Sequence, residues 1–473
     1  MSRDGAIKRV EAHFDGGRFF EDLARRVAIH SESQEAAQRG ELMRYVAGEM
    51  QPSLEALGFT CRIHPNPEAR GGPFLVATRF EAGDRPTVMS YGHGDVVCGY
   101  DDQWAEGLDP WVLEKRGGRW YGRGTADNKG QHSINMAAMA AVIEERGSLG
   151  FNVVFLIETG EETGSPGLRE FCCDNKALFA ADVFIASDGP RLSPGRPTIF
   201  MGSRGVFNFI LEVNLRDGGH HSGNWGGLLA NPGIILCHAV ASLTTASGEI
   251  LLPEWRPPPI SNSVQGAVAG LVIDGGAEAP EIDPDWGEPG LTAPEKVFAW
   301  NSFEVLAFKT GNPDNPVNAV PPHAKAHCSI RFVPPGDPAV FEAGLRRHLD
   351  AAGFAMVSIA PDADPMAATR LDPGHPWARW VVASIDTTTG TPTAVLPNLG
   401  GSLPNDVFSE VLGLPTIWVP HSYLSCSQHA PNEHILEATT REALQIMTGL
   451  FWDLGEPGTP ASRRPASREA GKA

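Results

Sequence analysis

The sequence predicts an α/β fold in which a mainly parallel sheet is flanked by helices, with a smaller α+β domain inserted into it. Short apolar, strand-like segments alternate with helical segments in the first part of the chain and again towards its end. The middle part instead contains segments in which apolar and polar residues alternate, as in a half-exposed strand. The length of 473 residues also exceeds what one hydrophobic core usually serves, so we expect two domains.

The elements of the first part follow from apolar periodicity and turn residues. Apolar spacing near 3.6 residues predicts helices over 18–30 and 35–57. The segment "PTVMSYGHGD" (86–95) is typical of a buried strand that runs into a glycine-rich turn. The next elements are a helix that begins near Asp127 and ends at Gly147, a strand over 151–159, a helix over 166–175 and a strand over 181–187.

The middle and final parts complete the predicted architecture. The middle part should hold strands over 206–215, 302–311 and 324–334, helices over 232–244 and 338–352, and an irregular, proline-rich insertion over 250–296. Helix–strand alternation resumes over 375–390 and 414–420 and ends in a helix over 437–450. The predicted division is therefore a larger domain over 1–203 and 368–455, an inserted domain over 204–367 and a disordered tail over 456–473.

Composition argues against two classes of partner. The 38 lysine and arginine residues face 57 acidic residues, a net charge of -19, so no basic surface is available to neutralise nucleic-acid phosphates. No apolar stretch is long enough to span a membrane, and the start lacks the apolar core of a signal peptide. Seven cysteines without zinc-finger spacing fit reduced thiols. We therefore expect a cytoplasmic protein that binds neither nucleic acid nor membrane.

Acidic and histidine residues recur at one place in the predicted fold. They follow predicted parallel strands, at the edge where open α/β sheets bind ligands. The adjacent carboxylates of Glu161 and Glu162 raise each other's pKa, so their turn either is solvated or faces a cation. Two histidines with several carboxylates suit a divalent transition metal, zinc first, with manganese or cobalt as alternatives. The residues are His93, Asp95, Asp127, Glu161, Glu162, Asp188 and His429.

Each short motif alone has an ordinary structural interpretation, such as a helix cap or a solvated loop. Their order along the chain is more specific. With "GHGD", "GTADNKG", "GEETG", "ASDGP" and "QHAPNE" in succession, the chain resembles the dinuclear-metal peptidase family of clan MH from about residue 20 to 450. That family contains carnosinase-type dipeptidases, acetylornithine deacetylase, succinyl-diaminopimelate desuccinylase and glutamate carboxypeptidase.

The resemblance implies a role for each of these residues. His93 and Asp188 would hold a first metal ion, Glu162 and His429 would hold a second, and Asp127 would bridge both. The centre would therefore contain two divalent ions per chain.

Neighbouring residues would support this centre. The resemblance makes Asp95 the residue that orients His93, and Glu161 the general base. Many relatives have aspartate where Asn128 stands, and asparagine is acceptable because only Asp127 would bridge the ions. The resemblance also implies a cis peptide bond between Asp127 and Asn128.

The inserted domain and a late loop would supply substrate contacts. In "GGHHSGNWGG" the histidine beside Ser-Gly, His221, would reach across a dimer to polarise the scissile carbonyl. Asn318 and Arg331 occupy positions where relatives hold a substrate carboxylate, and the planar arginine fork can bind both oxygens. Gly401 and Ser402, in "LGGSLPND", resemble contacts near the carboxyl end of the substrate.

The implied reaction is hydrolysis of an amide bond beside a free carboxylate. A water that bridges the metals would attack the carbonyl while Glu161 takes its proton and then passes it to the leaving amine. A dipeptidase is favoured because "GRGTADNKGQ", "HHSGNWGG" and "GGSLPND" look more like carnosinase-type dipeptidases than like deacylases. The alternatives are an N-acyl-amino-acid deacylase, a β-linked dipeptide hydrolase and, more remotely, an inactive metal-binding scaffold. The inserted domain would form a homodimer, while Arg204 and Lys129 are interpreted as structural.

Overall fold

The computed structural model describes residues 1–273, 280–362 and 364–460. Its α-helices are α1 (Arg3–Asp15), α2 (Arg18–Val27), α3 (Arg39–Met43), α4 (Gln51–Ala56), α5 (Lys129–Arg146), α6 (Leu168–Asp174), α7 (Ser222–Trp225), α8 (Pro232–Ala241), α9 (Asn262–Val268), α10 (Ala293–Phe298), α11 (Pro338–Ala351), α12 (Pro376–Thr389) and α13 (Glu437–Leu454). Short 3₁₀ or π segments occupy Ala36–Gln38, Arg44–Met50, Asp101–Gln103, Glu161–Thr163, Pro253–Trp255 and Val407–Val411.

The strands of the first half are β1 (Thr60–His64), β2 (Phe74–Arg79), β3 (Thr87–His93), β4 (Glu114–Arg116), β5 (Arg119–Tyr121), β6 (Asn152–Glu158), β7 (Val183–Ala186), β8 (Pro190–Arg191), β9 (Thr198–Phe200) and β10 (Gly205–Asn214). The remaining strands are β11 (His220–His221), β12 (Ser302–Thr310), β13 (Ala319–Val320), β14 (His323–Phe332), β15 (Ser358–Pro361), β16 (Ala394–Leu396), β17 (Thr416–Trp418), β18 (Ser422–Tyr423) and β19 (His434–Leu436).

The larger sheet has eight strands in the order β1-β2-β6-β3-β7-β17-β9-β16. Its centre is parallel, because β3 pairs in parallel with β6 and β7, and β17 pairs in parallel with β7. Successive residues of β6 face opposite layers: Phe155 packs in the core beneath α1, α5 and α13, whereas Leu156 packs with α6. A sheet buried on both faces explains why its strands are continuous apolar runs, and the predicted fold class is confirmed.

A second sheet forms between β9 and β16 in the chain. Its four antiparallel strands run in the order β12-β14-β10-β15 and pack on α8 and α11 around a separate core. The edge strand β12 was expected to alternate between buried and exposed residues, but Val305, Leu306 and Phe308 are all exposed. Because consecutive residues here are exposed alike, both faces of the strand are partly open to solvent. The predicted limits of the inserted domain agree with this sheet but remain a prediction.

Several local predictions need correction or extension. The helix predicted over 35–57 contains a π segment, Arg44–Met50, and helix α1 and strands β1 and β2 were not predicted. The insertion over 250–296, predicted to be irregular, contains α9 and most of α10, and its residues 274–279 lie outside the described part. Residues 461–473 of the predicted tail lie outside it as well. None of the helices in the described ranges is both long and apolar enough to cross a membrane.

Candidate metal centre and active site

Three neighbouring parallel strands bring most of the predicted ligands to one edge of the sheet. Strand β3 ends at His93, β6 ends just before the turn that holds Glu161 and Glu162, and β7 ends just before Asp188. Because β3 pairs in parallel with both other strands, their carboxyl ends lie side by side. The sequence-based placement of these four residues is therefore correct.

Asp127 and His429 reach the same edge by a different route, so their predicted placement at the ends of parallel strands was wrong. Asp127 lies between β5 and α5, and His429 lies in the loop between β18 and β19. Strand β5 belongs to a small antiparallel sheet with β4 and β19, not to the large sheet. The pairing of β5 with β19 draws the two loops together.

The first set of ligand atoms, which we call the buried group, comprises His93, Asp127 and Asp188, all buried. Nε2 of His93 lies 2.8 Å from Oδ1 of Asp127 and 3.7 Å from Oδ2 of Asp188. Nδ1 of the same ring lies 3.1 Å from the backbone oxygen of Asp95. One ring nitrogen of His93 thus contacts the backbone, while the other points towards the carboxylates of the group.

The second set, the exposed group, comprises Asp127, Glu162 and His429. Nε2 of His429 lies 3.0 Å from Oδ2 of Asp127 and 3.0 Å from Oε2 of Glu162. The His429 side chain is 52% exposed, whereas that of His93 is 0% exposed. Gln428 also donates a hydrogen bond to Oδ2 of Asp127. Asp127 offers one oxygen to each group, as a bridging carboxylate would.

The donor sets fit divalent metal ions. Each group combines one imidazole with two carboxylates, and its ligand atoms lie within 4.8 Å of one another. Oε1 of Glu162 and Oδ2 of Asp188 are buried without a hydrogen-bond partner in the described part of the chain. Burial, and then the charge of Asp127, raise the pKa of both carboxyls to about 7. Such a concentration of buried negative charge is stable when cations neutralise it.

Glu161 faces the same space and is not needed as a ligand in either group. Burial above all, followed by the charges of Glu162, Asp188 and Asp127, raises its pKa well above the usual range although His93 opposes the shift. Its backbone N–H donates to Oδ1 of Asp95 at 3.2 Å, and that of Glu162 donates to Oδ2 at 3.1 Å. Asp95 therefore positions the whole Glu161–Glu162 turn, a role beyond the predicted contact with His93.

Sequence reasoning missed Glu433, the last residue of "HAPNE". Its buried carboxylate accepts hydrogen bonds from the backbone N–H groups of Gly124, Ala126 and Asp127 at 2.9–3.0 Å. It also accepts one from the Arg123 guanidinium at 2.8 Å. Glu433 thus ties the loop of Asp127 to the loop of His429, and its position at the end of a ligand motif was the available signal.

Asn128 has a specific reason to be an amide. Its Nδ2 donates to the backbone oxygen of Ser187 at 2.8 Å, and its Oδ1 lies 3.0 Å from Nδ1 of His132. An ionised aspartate in this position has no N–H to give to Ser187. The predicted cis bond between Asp127 and Asn128 is present. Lys129 is buried and donates to the backbone oxygen of Ile29 at 2.7 Å, as expected of a structural residue.

Both groups open into a cavity of about 760 Å³ that Arg331, Gly401 and Ser402 also line, and we call the part formed by these three residues its far end. Nη1 of Arg331 donates to Oγ of Ser402 at 2.7 Å, and Arg204 also lines this end. A cavity of similar volume, about 820 Å³, lies beside Trp377 and contains none of the predicted site residues. The cavity with the ligands is therefore the candidate active site, although it is not the larger of the two.

His221 and Asn318 do not line this cavity. They lie together in the inserted region, where β11 pairs with β13 and the Ser222 N–H donates to the backbone oxygen of Asn318 at 2.8 Å. Both residues are exposed. The structure therefore brings together the five predicted ligands, Glu161, Arg331, Gly401 and Ser402, and leaves these two residues apart from them.

Comparison with known proteins adds independent evidence. Residues 89–453 match the model of peptidase family M20/M25/M40. The chain is 27% identical over 426 residues to the cysteinylglycine-S-conjugate dipeptidase of Corynebacterium striatum, covering 85% of this chain and 88% of the relative. It is also 27% identical over 409 residues to the beta-Ala-His dipeptidase of Mus musculus, covering 81% and 80%.

Solved structures agree on the fold. Human carnosine dipeptidase 1 superposes with a TM-score of 0.75 at 24% identity, covering 96% of this chain and 100% of that one. A dipeptidase from Saccharomyces cerevisiae superposes with a TM-score of 0.78 at 19% identity, covering 97% and 99%. At these identities the likeness supports the architecture and not a shared substrate.

Proposed function

Because the chain belongs to peptidase family M20/M25/M40 and is therefore a metallopeptidase, we propose that it is a dipeptidase that acts through two divalent metal ions. Its substrate is a small molecule with an amide bond beside a free carboxylate. One observation carries the proposal: Asp127 offers an oxygen to each of two ligand groups at one end of a cavity that has Arg331 at the other. The two dipeptidases from Corynebacterium striatum and Mus musculus, each matched over most of this chain, support the same substrate class.

The metal ions belong in the two ligand groups. The buried group would hold one ion and the exposed group the other, with Asp127 common to both. We propose zinc, since imidazole and carboxylate together form a typical zinc donor set, with manganese or cobalt as alternatives. When bound, such ions activate a water molecule and polarise the carbonyl of the amide.

Glu161 is the proposed general base and acid. It stands beside both ligand groups, and within the described residues its carboxylate accepts no hydrogen bond, so it is free to receive a proton. Asp95 fixes the backbone of the turn, which keeps this carboxylate at the reaction site. Once Glu161 has taken the proton from the attacking water, it delivers that proton to the amine that leaves.

We propose a homodimer in which His221 acts in the active site of the other subunit. His221 is exposed and lies outside the cavity of its own chain. The edge strand β12, with Val305, Leu306 and Phe308 exposed, offers an apolar surface in the same inserted region. A histidine carried across that interface would polarise the scissile carbonyl, and Asn318 beside it would contact the substrate.

Two further points belong to the proposal. The seven cysteines are all free thiols, which supports the cytoplasm as the location. The deacylase and inactive-scaffold alternatives are not favoured, because the two relatives named above are dipeptidases and this chain retains each of the proposed ligands and the proposed base. A β-linked dipeptide hydrolase is the second candidate, since one of those relatives is named for the β-linked dipeptide β-Ala-His.

The test is turnover by purified protein that has been stripped with chelator and reloaded with zinc, manganese or cobalt. The panel holds α-dipeptides, β-linked dipeptides, and N-acetyl and N-succinyl amino acids, with release of free amine as the signal. Glu161→Gln serves as the matched control, since it keeps the shape of the side chain and removes the base. We expect metal-dependent cleavage of α-dipeptides that this control lacks. Cleavage confined to acylated amino acids would overturn the dipeptidase assignment.

A further inference from the structure

The far end of the active-site cavity holds two arginines that have no anionic partner. Arg204 and Arg331 both line it, and in the described part of the chain no carboxylate lies within 4.0 Å of either guanidinium. Arg204 also borders a smaller cavity of about 260 Å³ beside Glu304, which is exposed and beyond that distance. Both side chains are half-buried, and two like charges without an anionic partner repel each other, so such a pair is expected to meet an anion supplied from outside the chain.

Ser402 and Gly400, in one loop, hold the two arginines in place. Nη1 of Arg331 donates to Oγ of Ser402 at 2.7 Å, and that hydroxyl donates to the backbone oxygen of Arg204 at 2.7 Å. Nε of Arg204 donates to the backbone oxygen of Gly400 at 2.7 Å. Burial, and then the charge of Arg331, lower the pKa of Arg204 to about 10, as expected of two cations that line the same part of the cavity. Their remaining N–H groups suit one carboxylate held between them.

An apolar wall stands directly beside this cationic end. A methyl group in place of the Gly400 hydrogen would lie 3.0 Å from Cγ1 of Val297 and 4.0 Å from Cε1 of Phe298. The same methyl would lie 3.9 Å from Nη2 of Arg204. The guanidinium of Arg204 and the side chains of Val297 and Phe298 therefore all lie next to Gly400. The backbone oxygen of Phe298 accepts a hydrogen bond from Arg370 at 3.1 Å, which fixes the end of α10.

The charges along the cavity are separated. Its acidic residues are Asp127, Glu161, Glu162 and Asp188, all at the metal end. A third arginine of the lining, Arg191, forms an ion pair with Glu442, so among the described lining residues Arg204 and Arg331 are the arginines without an anionic partner. The rest of the wall is mostly apolar. A cationic substrate side chain would find no partner there, and an acidic one would compete with the α-carboxylate for the same guanidinium groups.

We propose that the cavity selects dipeptides whose C-terminal residue carries an apolar side chain, with Arg204 and Arg331 together binding its carboxylate and α10 lining the pocket for its side chain. This inference rests on the proposed dipeptidase function. It gives Arg204, interpreted from the sequence as structural, a direct contact with substrate. Helix α10 begins within the 250–296 insertion and continues just past its end, where it supplies Val297 and Phe298 to the cavity.

The first arm of the test measures selectivity. The metal-loaded protein is assayed with Gly-Leu, Gly-Phe, Gly-Ala, Gly-Lys and Gly-Asp, and we expect kcat/KM for Gly-Leu to exceed that for Gly-Lys and Gly-Asp by about tenfold or more. Val297→Phe should narrow the pocket and reduce the Gly-Phe to Gly-Ala ratio, a change that a general loss of activity would not produce. Val340→Phe, the same substitution at an exposed site on α11, is the matched control.

The second arm needs no turnover. Calorimetry on the same metal-loaded protein compares free leucine with leucinamide, which lacks the carboxylate, and with lysine. We expect leucine to bind and the other two to bind at least about tenfold more weakly, since charge-assisted hydrogen bonds are lost or unmatched. Arg204→Met should weaken leucine binding by a similar factor while the metal content measured by mass spectrometry is unchanged.

The two arms separate this inference from the function on which it rests. Equal turnover of Gly-Leu and Gly-Lys, preference for Gly-Asp, or equal binding of leucine and leucinamide would overturn the inference and leave the dipeptidase standing. Absence of all dipeptide cleavage, with leucine bound selectively through Arg204, would overturn the proposed function and support the binding site.

Discussion

The two ligand groups use the same types of donor but are built differently. The buried group takes His93 and Asp188 from the ends of neighbouring parallel strands, so the sheet itself fixes their separation. The exposed group takes His429 from a loop in which His429 adopts φ 59°, a left-handed conformation unusual for a side-chain-bearing residue. The Glu433 carboxylate ties that loop to the Asp127 loop. The contrast teaches that the sheet fixes His93 and Asp188, and through the end of β6 also Glu162, whereas Asp127 and His429 depend on hydrogen bonds between loops.

The largest expected effect comes from the residue common to both groups. Asp127→Ala should abolish binding of both ions and reduce turnover by about 10³-fold or more, because each group loses a ligand and the electrostatic stabilisation fails. Metal content after gel filtration, measured by mass spectrometry, checks this. Asp102→Ala, at an exposed aspartate, is the control. Retention of one tightly bound ion by Asp127→Ala would show that the groups do not share this ligand.

Replacing the two histidines should separate the groups. His93→Ala and His429→Ala should each leave about one ion per chain. In the metal-free protein, His93→Ala should also lower the free energy of unfolding by about 2 kcal/mol, since it opens a buried site with unpaired carboxylates. His429→Ala should change it by less than about 1 kcal/mol, because its side chain is half exposed. Urea unfolding measures both free energies. Equal losses in His93→Ala and His429→Ala would contradict the proposed difference in construction between the two groups.

Glu433→Gln tests whether loop attachment matters for the metals. The amide keeps the size of the side chain but replaces one accepting oxygen with an NH₂ donor and removes the negative charge that faces Arg123. We expect zinc affinity measured by calorimetry to fall by about 10–100-fold, the range typical of residues that support ligands. Glu437→Gln, four residues further along and partly exposed, should leave the affinity unchanged. An unchanged affinity in Glu433→Gln would remove Glu433 from the positioning network.

The smallest expected effect is kinetic. During treatment with chelator, the ion of the exposed group should leave before that of the buried group, because water reaches His429 and not His93. Metal content sampled over time should therefore fall in two phases, and activity should follow the first. A single phase for both ions would contradict the proposed difference in access.

The local sequence pattern could predict those parts of the site that follow directly from a buried strand. The run from Phe151 to Glu158 is apolar on both faces and ends before Glu161, so strand and turn were both evident. The order of the motifs then indicated the ligands. Helix α1 carries a periodic signal as well, since Ala6, Val10 and Phe14 recur every fourth residue and are buried.

The remainder depended on contacts between distant parts of the chain. The pairing of β5 with β19 brings Asp127 near His429 across about three hundred residues, and no local pattern records it. Arg204 precedes β10 and Arg331 lies on β14, and the pairing of these strands places both arginines in the lining of one cavity. The exposure of β12 likewise depends on how other parts of the chain pack around it. Its alternating sequence pattern therefore did not predict that consecutive apolar residues are exposed.

The position of His221 has a consequence for genetics. If each active site takes this histidine from the other subunit, two variants that are inactive alone, His221→Ala and Glu161→Gln, should complement each other. In a mixed dimer one site is doubly defective, whereas the other combines an intact Glu161 with an intact His221. Random exchange of subunits in equal amounts makes half of the dimers mixed, so about a quarter of the wild-type activity should return on mixing. The functional unit would then be the dimer, because no single chain would contain a complete active site.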